Sequence, residues 1–184
     1  MGLLISGMII FFGIHLVPAL PLKNILIQRF GKNSYMGVFA LIAALGLGLM
    51  IYGKSTAGFI AVWQPLAGAH WLPVILMWPA FVLLVWAEIP CSIKSTLRHP
   101  MLQGVLLFSI SHLFANGDLA SILLIGSFGL YALLTMLRLG FKKKETSMPN
   151  KTPGWNLLGL AIGTFAYGVI FYFHQSIIGM PIPI

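Results

Sequence analysis

Apolar runs of roughly the 20 residues that a helix needs to cross a bilayer alternate along this chain with short polar connections. They cover residues 3–20, 35–52, 71–89, 101–115, 119–137 and 155–178. A chain in hydrocarbon must satisfy its own backbone N–H and C=O groups, so each run predicts a helix. The expected fold is all-α, a polytopic bundle of six transmembrane helices, and residues 1–184 make a single membrane domain. Prolines punctuate the runs: Pro18 and Pro21 close the first, Pro73 opens the third, and Pro100 sits in the first turn of the fourth, where its missing N–H matters little. Pro79 lies inside the third run and predicts a kink with a freed carbonyl. Gly159 and Gly163, with Gly168, in the sixth run and Gly37, Gly46 and Gly48 in the second mark places where helix backbones can approach closely.

Charge gives these helices a direction. Of the 11 Lys and Arg residues, all but Lys54 fall in three alternate connections: Lys23, Arg29 and Lys32; Lys94 and Arg98; Arg138, Lys142, Lys143, Lys144 and Lys151. Basic connections stay on the cytoplasmic side. Both termini are therefore expected outside, on the periplasmic face of a bacterial inner membrane. The first run has no base before it and no small-x-small cleavage site, so it is expected to be retained as a span. The basic stretch from Arg138 to Gly154 is expected to be a mobile cytoplasmic loop. At 59% hydrophobic and 8% charged, the chain has too little polar surface for a water-soluble domain. Its net charge of +8 is accordingly read as topology signal and contact with anionic lipid, with no nucleic-acid partner. One cysteine, Cys91, excludes an internal disulfide and a CxxC site, and a buried or lipid-facing thiol is expected.

Histidine carries whatever chemistry the membrane region has. The only acids are Glu88, Asp118 and Glu145, all near span ends, which argues against a carboxylate proton relay or a di-metal carboxylate site. Of His15, His70, His99, His112 and His174, three (His15, His112 and His174) lie within or near the ends of spans, where each ring nitrogen needs a partner. A metal or haem iron could be that partner, and so could a hydroxyl or carbonyl on a neighbouring helix. Asn156, Gly163, Tyr167 and His174 form one stripe of the sixth span; Met101, Val105 and Phe108 share the stripe of His112, with Ser109 about a turn before it; Leu4, Met8, Phe11 and Phe12 surround His15. Apolar walls with one nitrogen base suit a buried porphyrin and suit ordinary helix packing. Asn116, Gly117 and Asp118 read as a tight outer turn, with Asp118 capping the fifth span.

The sequence Arg98-His99-Pro100-Met101, followed by Ser111-His112-Leu113-Phe114-Ala115-Asn116-Gly117-Asp118-Leu119-Ala120-Ser121, resembles the signature of the NnrU family of membrane proteins. The resemblance extends to Phe12-Gly13-Ile14-His15, to residues 46–53, and to His174 with Ile178-Gly179. That family includes bacterial proteins associated with denitrification and nitric oxide reductase expression and, more distantly, the zeta-carotene isomerase of plants and algae, a haem b enzyme. The resemblance implies haem b held by His15 and His112, and non-covalent attachment agrees with the lack of CxxCH. It departs at Ser109, where the isomerase would have a cysteine ligand one turn before the second histidine. Isomerisation of zeta-carotene is therefore not expected.

Depth favours a runner-up pair. At about 1.5 Å per residue, His15 lies roughly 9 Å from Pro21, whereas His112 lies roughly 20 Å from His99 and so falls nearer His174 and His70. Arg98 and His99 have an anchoring role at the inner interface, or pair with haem propionates. Three functions remain open: a haem-binding accessory in nitrogen-oxide metabolism, partnered by a respiratory reductase or its maturation factors; a haem-dependent isomerase or oxidoreductase of a lipophilic polyene or quinone; and a cofactor-free membrane scaffold.

Overall fold

A computed structural model describes residues 1–140 and 153–178. Most of the basic stretch expected to be mobile, residues 141–152, lies outside the described residues, as do residues 179–184. The chain is all-α: α1 (Gly2–Leu16) with a 3-10 turn Val17–Ala19, α2 (Leu22–Phe30), α3 (Lys32–Ser55), α4 (Trp71–Glu88), a 3-10 turn Ser92–Ser95, α5 (Pro100–Ala115), α6 (Leu119–Leu139) and α7 (Pro153–Ile178). Among the described residues there is no strand, only an isolated bridge between Ala61 and Asp118. Five helical stretches are long and apolar enough to cross a membrane: Gly2–Ala19, Lys32–Ser55, Trp71–Glu88, Leu119–Leu139 and Gly154–Ser176. The 24 residues of α3 reach roughly 36 Å, more than a hydrocarbon core of about 30 Å, whereas the 16 of α5 reach only roughly 24 Å.

One helix was not expected. The first connection contains α2, whose Leu22, Ile25 and Phe30 are exposed and whose Arg29 guanidinium stands 5.5 Å from the Phe30 ring. Its nine residues mix apolar and basic positions, so hydropathy over a span-length window hides it. Gly31 ends it at φ +84, a left-handed value open to glycine, and α3 begins at the next residue.

The chain forms two compact units: Met1–Val62 with Asp118–Ser127, and Trp63–Gly117 with the described residues from Phe128 onward. In the first, α1 and α3 run antiparallel, with Gly7 against Met50 and Gly46 against Phe11; Gly53 lies against Leu4. A Cβ on Gly7 would stand 2.6 Å from the Met50 nitrogen, so the two backbones touch and only hydrogen fits between them. Leu4 and Met50 are fully buried along this seam. Gly37 and Gly48, expected from sequence to join in close packing, meet nothing within van der Waals reach.

In the second unit α4 packs antiparallel to both α5 and α7. Gly163 lies on the Val82 backbone, Gly159 on Trp86, and Gly104 of α5 on the Ala80 carbonyl, so the Gly159–Gly163 expectation holds. Polar bonds reinforce the α4–α7 contact: Trp78 Nε1 donates to Thr164 Oγ1 at 3.0 Å, Trp86 Nε1 to the Asn156 carbonyl at 3.1 Å, and Tyr167 OH to the Val74 carbonyl at 2.7 Å. The α4 helix is continuous through Pro79. Cys91 is buried at the end of this helix, its thiol donating to the Trp86 carbonyl at 3.3 Å.

Candidate functional site

Two of the candidate histidines are posed in the same way. On α1, His15 Nδ1 lies 2.6 Å from the Phe11 carbonyl, and its ring centroid is 4.2 Å from that of Phe11 and 5.1 Å from that of Phe39. On α5, His112 Nδ1 lies 3.0 Å from the Phe108 carbonyl, with ring centroids 4.6 Å apart. A carbonyl can only accept, so each Nδ1 carries a proton and the ring is oriented by that bond. The Phe-x-x-x-His spacing produces this geometry on both helices, because residues four apart share a face and the carbonyl four back lies within reach. Ser111, fully buried, donates to the same Phe108 carbonyl at 3.0 Å and stands 3.3 Å from His112 Nδ1.

The second unit contains His112, His174, Arg98 and His99, whereas His15 belongs to the first. Asn156, Gly163 and Tyr167, on the same stripe of α7 as His174, are taken up by the α4 contact: Asn156 Oδ1 accepts from the Ser92 nitrogen at 3.0 Å, and its Nδ2 donates to Ser92 Oγ at 2.7 Å.

Arg98 and His99 have a structural role. Arg98 Nε donates to His99 Nε2 at 3.0 Å, and its Nη2 to the Leu139 carbonyl at 3.0 Å, tying the start of α5 to the end of α6 and completing the latter. His99, the residue before Pro100, is left-handed at φ 58, ψ 50; the Pro100 ring disfavours the right-handed helical region there but does not by itself select a positive φ. Arg98 Nη1 is a buried donor with no partner among the described residues.

Ser109 is 1% exposed, and a Cβ on Gly129 would stand 2.8 Å from its own. Its hydroxyl has no partner among the described residues. The side chain where a thiolate was considered is thus sealed against α6.

The outer motif differs from expectation in shape. Asn116 is extended at φ −127, ψ 121 and no tight turn forms. Within the second unit the Trp63 nitrogen donates to the Gly117 carbonyl at 3.2 Å; within the first the Leu119 nitrogen donates to that of Ile60 at 2.8 Å. These pairings come from the connection between α3 and α4, far back in the chain and out of sight of local turn rules. Asp118 does cap α6, accepting from the Ser121 nitrogen at 3.0 Å. It also pairs with Lys54 Nζ at 2.8 Å. Burial alone would raise the Asp118 carboxyl, but the hydrogen bonds from Lys54 and Ser121 and the charge of Lys54 outweigh it and hold the group below the usual carboxylate range. Lys54, the base that breaks the charge pattern, is thereby neutralised, and the end of α3 is joined to the start of α6.

The donor set suits an iron porphyrin. Among the described residues no group of three or more His, Cys, Asp or Glu could hold a bare ion. A porphyrin supplies four ligands itself and asks the protein for one or two. A neutral imidazole whose Nδ1–H is engaged by a carbonyl meets that requirement, since the bond orients the ring and raises the basicity of Nε2. A family model described as NnrU protein matches residues 3–182, nearly the whole chain. No curated protein and no solved structure matches.

Proposed function

The chain belongs to the NnrU family, and from that premise we propose that it is a haem b-binding protein of the bacterial inner membrane serving nitrogen-oxide metabolism. In this reading it acts as an accessory to the expression or maturation of a nitric oxide or nitrite reductase. The observation that carries it is the pose of His112: an imidazole on an apolar helix, its ring oriented by the bond from Nδ1 to the Phe108 carbonyl. His15, posed identically against Phe11, is the second ligand that the family resemblance implies. A second pairing, His112 with His174, has both candidate ligands in one compact unit. Arg98, whose Nη1 is a buried donor, is the side chain suited to a propionate, with His99 positioning its guanidinium. Bound haem would supply one-electron redox chemistry or gas sensing. The protein's part would be to hold and orient the imidazoles, as the Phe108 carbonyl does for His112.

The proposal includes six crossings with both termini outside. The antiparallel neighbours of α5 support it. Two helices that both run inward, α4 and α6, need a segment between them that returns the chain outward, and α5 lies antiparallel to α4 through Gly104 and tied at Arg98 to the end of α6.

The test is the reduced-minus-oxidised spectrum of protein purified from haem-replete cells. A b-type Soret and α band is expected, abolished or shifted by His112→Ala and unchanged by His70→Ala. Loss of the second ligand in His15→Ala but not in His174→Ala selects the first pair, and the opposite result selects the second. Protein that carries no porphyrin would leave the cofactor-free scaffold as the correct reading.

A further inference from the structure

The connection between α3 and α4 is apolar in a way that an aqueous loop is not. From Ser55 to Ala87 the chain contains no Asp, Glu, Lys or Arg. Within the second unit, Trp63, Gln64, Pro65 and Leu66 of this connection and Leu113 and Phe114 of α5 line an open groove of about 400 Å³, almost wholly apolar. Leu66 is 76% exposed and Phe114 is 54% exposed. In water such a patch would be a standing penalty, at about 25 cal/mol per Å² of apolar surface.

The level of the groove is fixed by hydrogen bonds. Trp63 donates to the Gly117 carbonyl, directly beyond the last turn of α5, so on the six-crossing reading, on which this inference rests, the loop is held where that apolar helix leaves the hydrocarbon. Earlier in the same connection Phe59 is 80% exposed, and in the first unit Ile60 accepts from Leu119, the first residue of α6. Each tether holds apolar loop residues beside one end of an apolar helix. An indole at that level is what the membrane–water boundary selects.

We propose that the Trp63–Leu66 segment is a lip inserted into the outer leaflet and that the groove it forms with Leu113 and Phe114 is filled by the acyl chain of a membrane phospholipid. The occupant is set by three features. The lining is uncharged, so no headgroup or peptide charge is recognised there. One wall of the groove is α5 itself, whose Phe114 is exposed. It is open at the side, as a chain entering from the bilayer requires. Its volume lies in the low range for small-molecule sites, enough for a hydrocarbon segment and little more.

Site-directed spin labelling in phosphatidylcholine nanodiscs tests this. Leu66→Cys is labelled with a nitroxide in the otherwise native chain; Cys91 is 1% exposed and its thiol is turned to the Trp86 carbonyl, so it does not compete for reagent. Phe114→Cys provides an independent position on the opposite wall should the loop variant fail to fold. The ratio of collision with oxygen to collision with a water-soluble nickel chelate is expected to be several-fold higher at both positions than at Ser55→Cys, the exposed end of α3. A ratio like that of Ser55 would mean that the groove is filled with water, and the proposal fails. Protection from both quenchers would mean that protein, such as a second copy of the chain, covers the groove, and the proposal fails equally.

Discussion

Replacing Asp118 separates two contributions that one carboxylate makes at the N-terminal end of α6. Its Oδ1 accepts from the Ser121 nitrogen as an N-cap and from Lys54 Nζ at 2.8 Å as an ion pair. Losing an N-cap to alanine costs about 1 kcal/mol, with a range of roughly 0.5–2. The ion pair is intermediate between the surface case, about 0–1 kcal/mol, and the buried case, about 3–5 kcal/mol for breaking one partner. Side-chain exposures of 26% for Lys54 and 6% for Asp118 place it at about 1–2 kcal/mol, since water can still reach the stranded ammonium. Asp118→Ala should therefore cost about 2–3 kcal/mol, whereas Asp118→Asn, which caps nearly as well, should cost about 1–2. Equilibrium unfolding in mixed micelles provides the measurement, with Lys54→Met completing a double-mutant cycle. Because the folded carboxyl is held below its usual range, the stabilisation is fully present above the ordinary carboxylate pKa and is lost as the pH falls through the lower folded value. Wild type and Asp118→Asn should accordingly converge in strong acid. Equal losses in the Ala and Asn variants, or zero coupling to Lys54 near neutral pH, would refute this account.

Three further outcomes are expected. Gly163→Leu should separate α7 from α4, because a Cβ there already stands 2.7 Å from the Val82 Cα; a loss of at least about 1–3 kcal/mol is expected in the same unfolding assay, and a neutral result would argue against the α4–α7 seam. Asn156→Ala should strand the Ser92 amide that it caps and cost about 1–3 kcal/mol, visible as faster hydrogen exchange in residues 89–95, whereas unchanged exchange would remove Asn156 from that role. Reporter fusions after Lys32, Ser95 and Lys144 should read as cytoplasmic and a fusion at Ile184 as periplasmic. A cytoplasmic C-terminus would mean that one of the six runs, with α5 the shortest, does not cross.

Hydropathy and charge are local sums, and the sequence by itself determined what depends on them. Each apolar run became a helix because in hydrocarbon no other local structure satisfies the backbone. The Gly159–Gly163 spacing predicted a close approach because four residues return to the same helix face. Asp118 was legible as a cap from its place before an apolar run. The NnrU signature was legible as a string of residues. Partner choice was not legible, because it is a property of two helices at once. Nothing in Gly37, Gly46 and Gly48 distinguishes the one that meets α1 from the two that meet nothing. The second base of the connection before α3, Arg29, gave no sign that it would ride on a helix beside Phe30. Tertiary structure alone set Lys54 against Asp118, sealed Ser109 on Gly129, and turned the Asn156 side chain to the Ser92 turn and Tyr167 to α4. Those pairings follow from which backbones can touch, and that is decided by glycine and alanine contacts between helices far apart in the chain.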